Sequence, residues 1–521
     1  MTLRWIVAGL FLFSTIVLPR KLRADDLDDV LARGELRWGA DQEGGGPYVY
    51  PSMTGDGSVV GFEVELADAL AKELGVRAVF TQGNWDKLPD LLRVRNVDIV
   101  MNGYELTEER REHMLPSRAY YIYALQLLVH NDAGWGFATL KRPADPKRKI
   151  GVLVGSSAET FARREFGEVA DVVSYDGNTD AMREVSNEQI AATVQDTPIV
   201  AFYAPDFPLL LAVGTPQAEG EYVIYARKGE LRLIQAIDRA LTKLYRSGEL
   251  RAIYERYKLW NDNQTRLATV FADGVAEADV STPSRPEPLA PATRPRGFDV
   301  VWANAGLLLS SAAMTIGLAL LSFPLAALLG VLVALGRSRG PRLLRPFLAV
   351  YVEALRGTPL LLQLYVLFFL LPEWGFRLPA FATAIVGLAL NYSAYESEIF
   401  RAGLASVPKG QEEASYALGF SQWQTLRHVT FPQTARFALP PMANDFISLF
   451  KDTSVCSVIT IVELTKRYSV LSMSTQATLE LTVATAALYL AMSIPASLGA
   501  RALERRFGPR AGKPSIAQAT S

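Results

Sequence analysis

The chain has 521 residues, 50% of them hydrophobic, with a mean hydropathy of +0.13, which suits several domains, some soluble and some in a membrane. Its 53 Lys and Arg against 54 Asp and Glu leave a net charge of −1, which gives no reason to expect nucleic-acid binding. The single cysteine, Cys456, excludes an intrachain disulfide and a thiolate zinc cluster; the three histidines (His113, His130, His428) have no ligand-like spacing, so no metal or cofactor is expected.

The N-terminus reads MTLRWIVAGLFLFSTIVLPRKLRADD. Arg4 ahead of an apolar run from Trp5 to Leu18 has the form of a secretion signal over residues 1–24. Cleavage after Ala24 and retention as an anchor both fit, because Leu22 is not small and Arg20, Lys21 and Arg23 crowd the cleavage region. Either way, residue 25 onward leaves the cytoplasm. Residues 25–262 read as a soluble α/β domain: ELRWGAD, VRAVFTQ and VDIVMNG are strands, and FEVELADALAKEL carries apolar residues at helical spacing. RKIGVLVGSSAETFARREF repeats the strand–turn–helix pattern and opens a second lobe, bracketed by the extended stretches YYIYALQLLVHN and GEYVIYARKGE as crossovers. Residues 263–298, with DVSTPSRPEPLAPATRPR, lack apolar periodicity and read as a semi-rigid tether.

Residues 299–510 are membrane-like. A span needs about 20 apolar residues, and candidates are 303–335, 344–371, 379–400, 435–462 and 476–500, an all-α domain of five spans. Charge orients them. The connections expected inside hold Arg337, Arg339, Arg342, Arg345, Arg401, Lys409, Arg427 and Arg436, and the tail holds Arg501, Arg505, Arg506, Arg510 and Lys513. The two connections expected outside hold only Arg377, Lys466 and Arg467. This bias puts the N-terminal domain outside and the C-terminus, with the tail 511–521, in the cytoplasm. Glu353, Arg356, Asn391, Glu396, Glu398, Lys451 and Asp452 fall in or near the spans and are candidates for function or helix ends.

Between the third and fourth spans lies QEEASYALGFSQWQTLRHVTFP, residues 411–432. Pro408 suits a helix start, Gly419 a left-handed C-terminal position, and Ser421 with Gln424 a capping box; Pro432 is expected to end the second helix. Such a hairpin holds Phe420 and Trp423 near its tip, where aromatics can anchor in a partner's groove.

Glu413-Ala414-Ser415, Gly419 and Val429-Thr430-Phe431-Pro432 reproduce the spacing of the cytoplasmic EAA loop of ATP-binding-cassette (ABC) importer permeases. EALRGTPLLLQLYVLFFLLP, NYSAYESEIFRAGLASVPKGQEEA and PPMANDFISLFKDTSVCSVITIVELT resemble the polar amino-acid subfamily, over essentially all of 300–505. The resemblance implies a coupling helix at Glu413, Ala414 and Gly419, and an ABC ATP-binding subunit docking at 411–432. It also implies a second permease copy, with a homodimer of identical chains expected, in the lipid bilayer of a bacterial inner membrane. The chain has no P-loop of its own: GPRAGKP has the wrong spacing and Pro in place of Ser or Thr. ATP hydrolysis is thus expected on another polypeptide.

Residues 25–262 resemble type II periplasmic solute-binding proteins of the polar amino-acid group, in VVGFEVELADALAKELG, NWDKLPDLL, VDIVMNGYELTEERREHMLPSRAYY, IGVLVGSSAETF, TVQDTPIV and RKGELRLIQAIDRALTKLYRSGELRAIYERY. That implies a two-lobed clamp closing on an amino acid. A zwitterion needs a cation for its carboxylate and an acid for its ammonium. By family pattern Arg110 takes the carboxylate, Asp196 takes the ammonium with Asp41 as a second acid, and Gly103 and Thr107 lie on the carboxylate loop. Ser156 and Ser157 open a helix whose amides favour anions, and Trp85 forms an aromatic wall. Two departures stand out. Glycines in ADQEGGGPYVY replace an aromatic for which Tyr48 can partly substitute, and Glu105 stands where Ser or Thr is usual, able to pair with Arg110 or to meet a cationic ligand.

The leading expectation is an amino-acid importer chain fusing receptor and permease. A ligand-gated channel also uses such a clamp, but its pore interrupts the clamp and no TVGYG-like filter is present. A secreted enzyme on this fold lacks a nucleophile–base constellation and leaves the permease unexplained.

Overall fold

The computed structural model describes residues 26–43, 45–52, 57–131, 148–272, 297–475 and 477–507. The signal segment, most of the expected tether and the C-terminal tail lie outside the described residues.

The N-terminal domain is built on an eight-stranded sheet in the order β4-β1-β5-β10-β6-β9-β7-β8. In lobe 1, β1 (Glu35–Ala40) pairs in parallel with β4 (Arg77–Gln82) and β5 (Ile99–Val100). In lobe 2, β7 (Lys149–Leu153) pairs in parallel with β8 (Asp171–Tyr175) and β9 (Ala192–Asp196). The two expected crossovers are β6 (Met114–His130) and β10 (Leu210–Arg227), long antiparallel partners that carry the chain between lobes. From Tyr120 to Val129 every residue of β6 is buried, as a strand covered on both faces requires. β2 (Tyr50–Pro51) and β3 (Val59–Val60) form a small separate ribbon.

Helix α1 (Phe62–Glu73) buries Phe62, Leu66, Ala67 and Leu70 at helical spacing against lobe 1. The domain does not stop at 262. Gln264 and Leu267 are fully buried, and Phe271 stacks on Tyr245 with ring centroids 4.9 Å apart. The segment expected to start the tether is therefore part of the receptor body as far as Ala272.

The C-terminal domain is helical. By length and composition two helices can cross a membrane, α2 (Ala305–Arg339) and Thr478–Ala502. Leu344–Gly357 and Leu360–Trp374 make a third if that pair, bent by 109°, is one span. The five expected spans are not all reached on that measure. Helix α3 (Ala380–Ser406) carries Asn391, Glu396, Glu398 and Arg401, and α4 (Phe431–Asp452) carries Arg436, Asp445, Lys451 and Asp452. Several of these polar groups are partnered, Glu398 with Arg337 and Arg401, Asp452 with the Tyr392 hydroxyl at 2.7 Å, and Asn391 with Gln363 at 3.2 Å, whereas both carboxylate oxygens of Glu396 are buried without a hydrogen-bond partner.

In the hairpin after α3, helix Lys409–Ala417 ends at Gly419 with φ +83°, and Ser421 and Gln424 form a reciprocal capping box. The second leg does not end at Pro432. It runs from Gln422–Thr425 through a π-helical segment, Leu426–Thr430, directly into α4, with Pro432 in the first turn of α4. The residue expected as a stop is therefore accommodated in the first helical turn after the π-helical segment, where a proline is tolerated.

Candidate functional site

Two local motifs aim the site across the cleft. On lobe 1, the Thr107 side chain caps helix Glu108–His113 by accepting from Arg110 N at 3.3 Å. On lobe 2, Ser156 caps helix Ser157–Phe166 by accepting from Glu159 N at 3.2 Å, leaving Ser157 N facing lobe 1. Between them lies Glu105, 2% exposed at its side chain. Its Oε2 pairs with Arg110 Nη1 at 2.5 Å and its Oε1 accepts from Ser157 N at 2.9 Å. Arg110 also donates to the Gly155 carbonyl at 3.0 Å and lies over the rings of Trp85 and Tyr104, 5.1 and 4.8 Å from their centroids. A lobe-1 carboxylate thus holds the guanidinium and the helix amide of lobe 2 together.

The cavity that remains is about 20 Å³, lined in part by Tyr48, Trp85, Gly103, Glu105, Ser156 and Asp196. That is room for about one water molecule, so an amino acid enters only if the lobes part or Glu105 moves. A larger hollow of about 340 Å³, lined by Asp176, Asp180 and Arg183, lies elsewhere on lobe 2, and none of the expected site residues lines it.

Asp196 accepts from the Tyr222 hydroxyl, which bonds in turn to the Tyr48 hydroxyl at 2.7 Å. Burial, and then the Glu105 charge, push the Asp196 carboxyl up to about 8. Gly103 takes φ +61° and donates its N–H to Glu63 Oε1 at 2.7 Å. A Cβ there would stand 2.9 Å from the Tyr48 ring.

Asp41 is not on the cavity wall. Its carboxylate accepts from Gln82 Nε2 at 2.7 Å, Trp85 N at 2.9 Å and Glu43 N at 2.9 Å, so it fixes the Trp85 loop instead of meeting the cleft. Thr107 likewise lies off the cavity wall, behind Arg110. The glycines that replace an aromatic have their own reason. A Cβ on Gly46 would stand 2.1 Å from the Phe202 ring, one on Gly45 2.0 Å from the Tyr203 hydroxyl, and Gly46 N donates to that hydroxyl at 3.1 Å. The glycine run admits aromatics of lobe 2 to lobe 1.

Three residues on or beside the cleft were missed. Asn102 Nδ2 and Gln195 Oε1 are buried without a hydrogen-bond partner, and both residues line the cavity. Buried polar groups are rarely left unpaired, so such a pair points to an occupant. Glu63, fully buried on α1, accepts from Tyr120 and Gly103, and burial pushes its carboxyl up to about 7. The signal in hand was NGY next to Glu105 for Asn102 and TVQD for Gln195; nothing local marks Glu63.

Residues 37–259 match the family described as bacterial extracellular solute-binding proteins, family 3, and residues 326–509 match the binding-protein-dependent transport system inner membrane component. The glutamine transport system permease protein GlnP of Escherichia coli (strain K12) is 34% identical over 212 residues, 40% of this chain and 97% of that protein. The chain belongs to the amino-acid ABC importers, with receptor and permease fused. Importer relatives include the L-cystine transport system permease protein TcyB of Bacillus subtilis (strain 168), 46% identical over 153 residues, 29% of this chain and 65% of that protein. The importer's receptor domain also resembles the ancestral amino acid-binding protein AncCDT-1, a precursor of cyclohexadienyl dehydratase, at 29% identity and a TM-score of 0.41, over 44% of this chain and 99% of that one.

Proposed function

We propose that residues 25–272 capture a polar amino acid outside the cytoplasm and hand it to a permease of five spans formed by residues 299–510. The observation that carries the ligand reading is Glu105, whose carboxylate makes the two contacts a ligand carboxylate needs, to Arg110 and to Ser157 N. The incoming carboxylate displaces it and is held between Arg110 and the Ser156–Ser157 helix start. Asp196 receives the ammonium, and the free Asn102 Nδ2 and Gln195 Oε1 orient the ligand. Trp85 and Tyr48 wall the pocket, Gly103 lets the backbone approach, Thr107 positions Arg110, and Asp41 positions Trp85.

The permease half works as one of two copies, a homodimer in the bacterial inner membrane, driven by a separate ABC ATP-binding subunit at 411–432. Supporting the orientation, Glu373 and Lys466, from the two connections expected outside, pair with Arg93 and Glu43 of the receptor. The hairpin with Glu413, Ala414 and Gly419 lies between those two connections in the chain and leaves Glu413 exposed, on the face assigned to the cytoplasm with the C-terminus.

The test is calorimetric titration of the full chain in detergent with each of the common amino acids, with Arg110→Ala as control. Binding of one class, lost in the variant, supports the site. Binding unaffected by the variant overturns the Arg110 role, and no binding by any amino acid overturns the ligand class.

A further inference from the structure

The short outer helix α5 (Leu464–Thr475) has its N-terminus fastened to the permease. Glu463 accepts from Thr465 N at 2.8 Å and Lys466 N at 2.7 Å. Leu464 N donates to Thr315 and Arg467 to Ser311, both on α2, while Thr465 meets the Tyr489 hydroxyl of the last helix at 2.7 Å. Leu464, Val470 and Leu471 are fully buried. Helix α5 therefore moves with the membrane helices.

Its two ends touch different lobes of the receptor. Near the first, the Lys466 side chain is 5% exposed, with Nζ 2.7 Å from Glu43 Oε2 and 2.7 Å from Asn84 Oδ1. Both partners belong to the Asp41 loop of lobe 1: Glu43 N bonds Asp41, and Asn84 precedes Trp85, which also bonds Asp41 and lines the cleft. Near the second end, Met473 packs on Gly177 of lobe 2 so closely that a Cβ there would stand 2.9 Å from the Met473 Cε. Gly177 immediately precedes Asn178, another cleft residue. Two further receptor–permease polar contacts, Asp90 with Tyr365 and Arg93 with Glu373, lie on lobe 1.

We infer that α5 is the element by which the permease reads receptor closure, with Lys466 as its anchor on lobe 1 and Met473 as its contact to lobe 2 in the closed clamp. A rigid helix that touches both lobes binds the closed arrangement better than any arrangement with the lobes apart, and that differential affinity is what couples two states. The tether keeps this receptor at high effective concentration beside α5. The inference rests on the receptor–permease reading above. Its test uses no ligand, so the two can fail separately.

The experiment is cross-linking with a short bis-maleimide in full-length protein in nanodiscs, where the native Cys456 is buried. One cysteine pair reports lobe 1, Asp90→Cys with Tyr365→Cys; the other reports lobe 2, Gly177→Cys with Met473→Cys. Each is made with and without Gly46→Trp, whose side chain would collide with Phe202 and hold the lobes apart. Glu105→Ala, which removes the latch between Arg110 and Ser157, serves as a second opening variant. Both pairs are expected to link in the parent. In the opened proteins the lobe-2 yield is expected to fall at least ~10-fold while the lobe-1 yield holds. Lys466→Ala is expected to lower both. Equal yields in closed and opened proteins, parallel loss of both, absence of either link in the parent, or indifference to Lys466→Ala would each overturn the inference.

Discussion

The permease domain ends in two small helical projections that differ in one respect. The outer helix α5 buries Lys466 to 5% and Leu464, Val470 and Leu471 completely. The hairpin at 409–425 leaves Leu418 78%, Trp423 65%, Tyr416 43% and Phe420 39% exposed. Covering apolar surface is favourable by about 25 cal/mol per Å², so a cluster left open marks a place where cover comes from another molecule. At the outer projection the cover is on the same chain: the membrane helices over Leu464 and Leu471, and the receptor over Lys466. At the hairpin, among the described residues, no such cover is present. On the proposed reading, fusion makes one of the two interfaces intramolecular and leaves the other to association.

Perturbations of the receptor cleft should leave the hairpin's behaviour intact, and the reverse. The largest effect is expected from Arg110→Ala, which strips a buried carboxylate of its guanidinium; losses of 2–5 kcal/mol, about 30-fold or more in affinity, are usual for such pairs. Titration of the full chain measures it, while binding of the ATPase subunit should not change. Next comes pH. The Asp196 carboxyl, pushed up to about 8, is protonated at neutral pH, whereas an ammonium ligand needs it ionised. Affinity should rise with pH up to about 8, by no more than ~10-fold per unit, and binding near pH 7 should release a proton that buffers of different ionisation enthalpy reveal. Without ligand the sign is opposite. The fold holds a proton that the unfolded chain, with an ordinary carboxyl near 3.8, gives up, so the Asp196 contribution to stability falls as pH rises from about 4 to 8. A flat affinity profile would remove Asp196 from the ammonium role.

At the other end, Trp423→Ala should weaken binding of the ATPase subunit by about 2 kcal/mol, roughly 30-fold, as for a central aromatic anchor, with ligand titration unchanged. A smaller effect, of opposite sign, is expected at Glu105. Replacing it with Thr removes a tethered competitor for Arg110 and should tighten ligand about 10-fold, because less of the protein has its site self-occupied. Weaker binding instead would mean that Glu105 touches the ligand itself.

The sequence carried local features well and distant ones poorly. The strand–helix alternation, the two crossovers and the Ser421–Gln424 box each depend on residues a few positions apart, and the structure has all of them. Asp41 is different: its partners include Gln82 and Trp85, more than 40 positions away, so an acid in a turn could not be told from an acid facing a ligand. The Gly45–Gly46 pair read as a missing aromatic because the rings it accommodates, Phe202 and Tyr203, are over 150 positions on. Glu63 sat in an amphipathic pattern that gives no warning of a buried carboxylate. Pro432 read as a stop because proline in a helix's first turn and proline after its end share a local signature. The spans were hardest where polar groups fall within them, in α3 and α4, since each one lowers the hydropathy by which a span is recognised.

The smallest predicted effect separates the two projections most cleanly. Ser421 Oγ accepts from Gln424 N at 3.3 Å, and Gln424 Oε1 accepts from Ser421 N at 2.8 Å, both exposed to solvent. Ser421→Ala removes one of these bonds and touches neither the cleft nor α5, at a cost of about 1 kcal/mol to the helix start. The hairpin keeps other ties, from Ser415 to Thr425 at 2.8 Å and from Thr430 to Glu412 at 3.2 Å, so it should fray and not unfold. Amide exchange at 422–425 should quicken about 5-fold, and the affinity for the ATPase subunit should drop by a similar factor or less. Exchange on α5 should stay fixed, because the receptor and the membrane helices hold it. If α5 loosened together with the hairpin, the two projections would be one cooperative unit joined through the membrane helices, and the division between a covered outer face and an open inner one would have to give way to a coupled description.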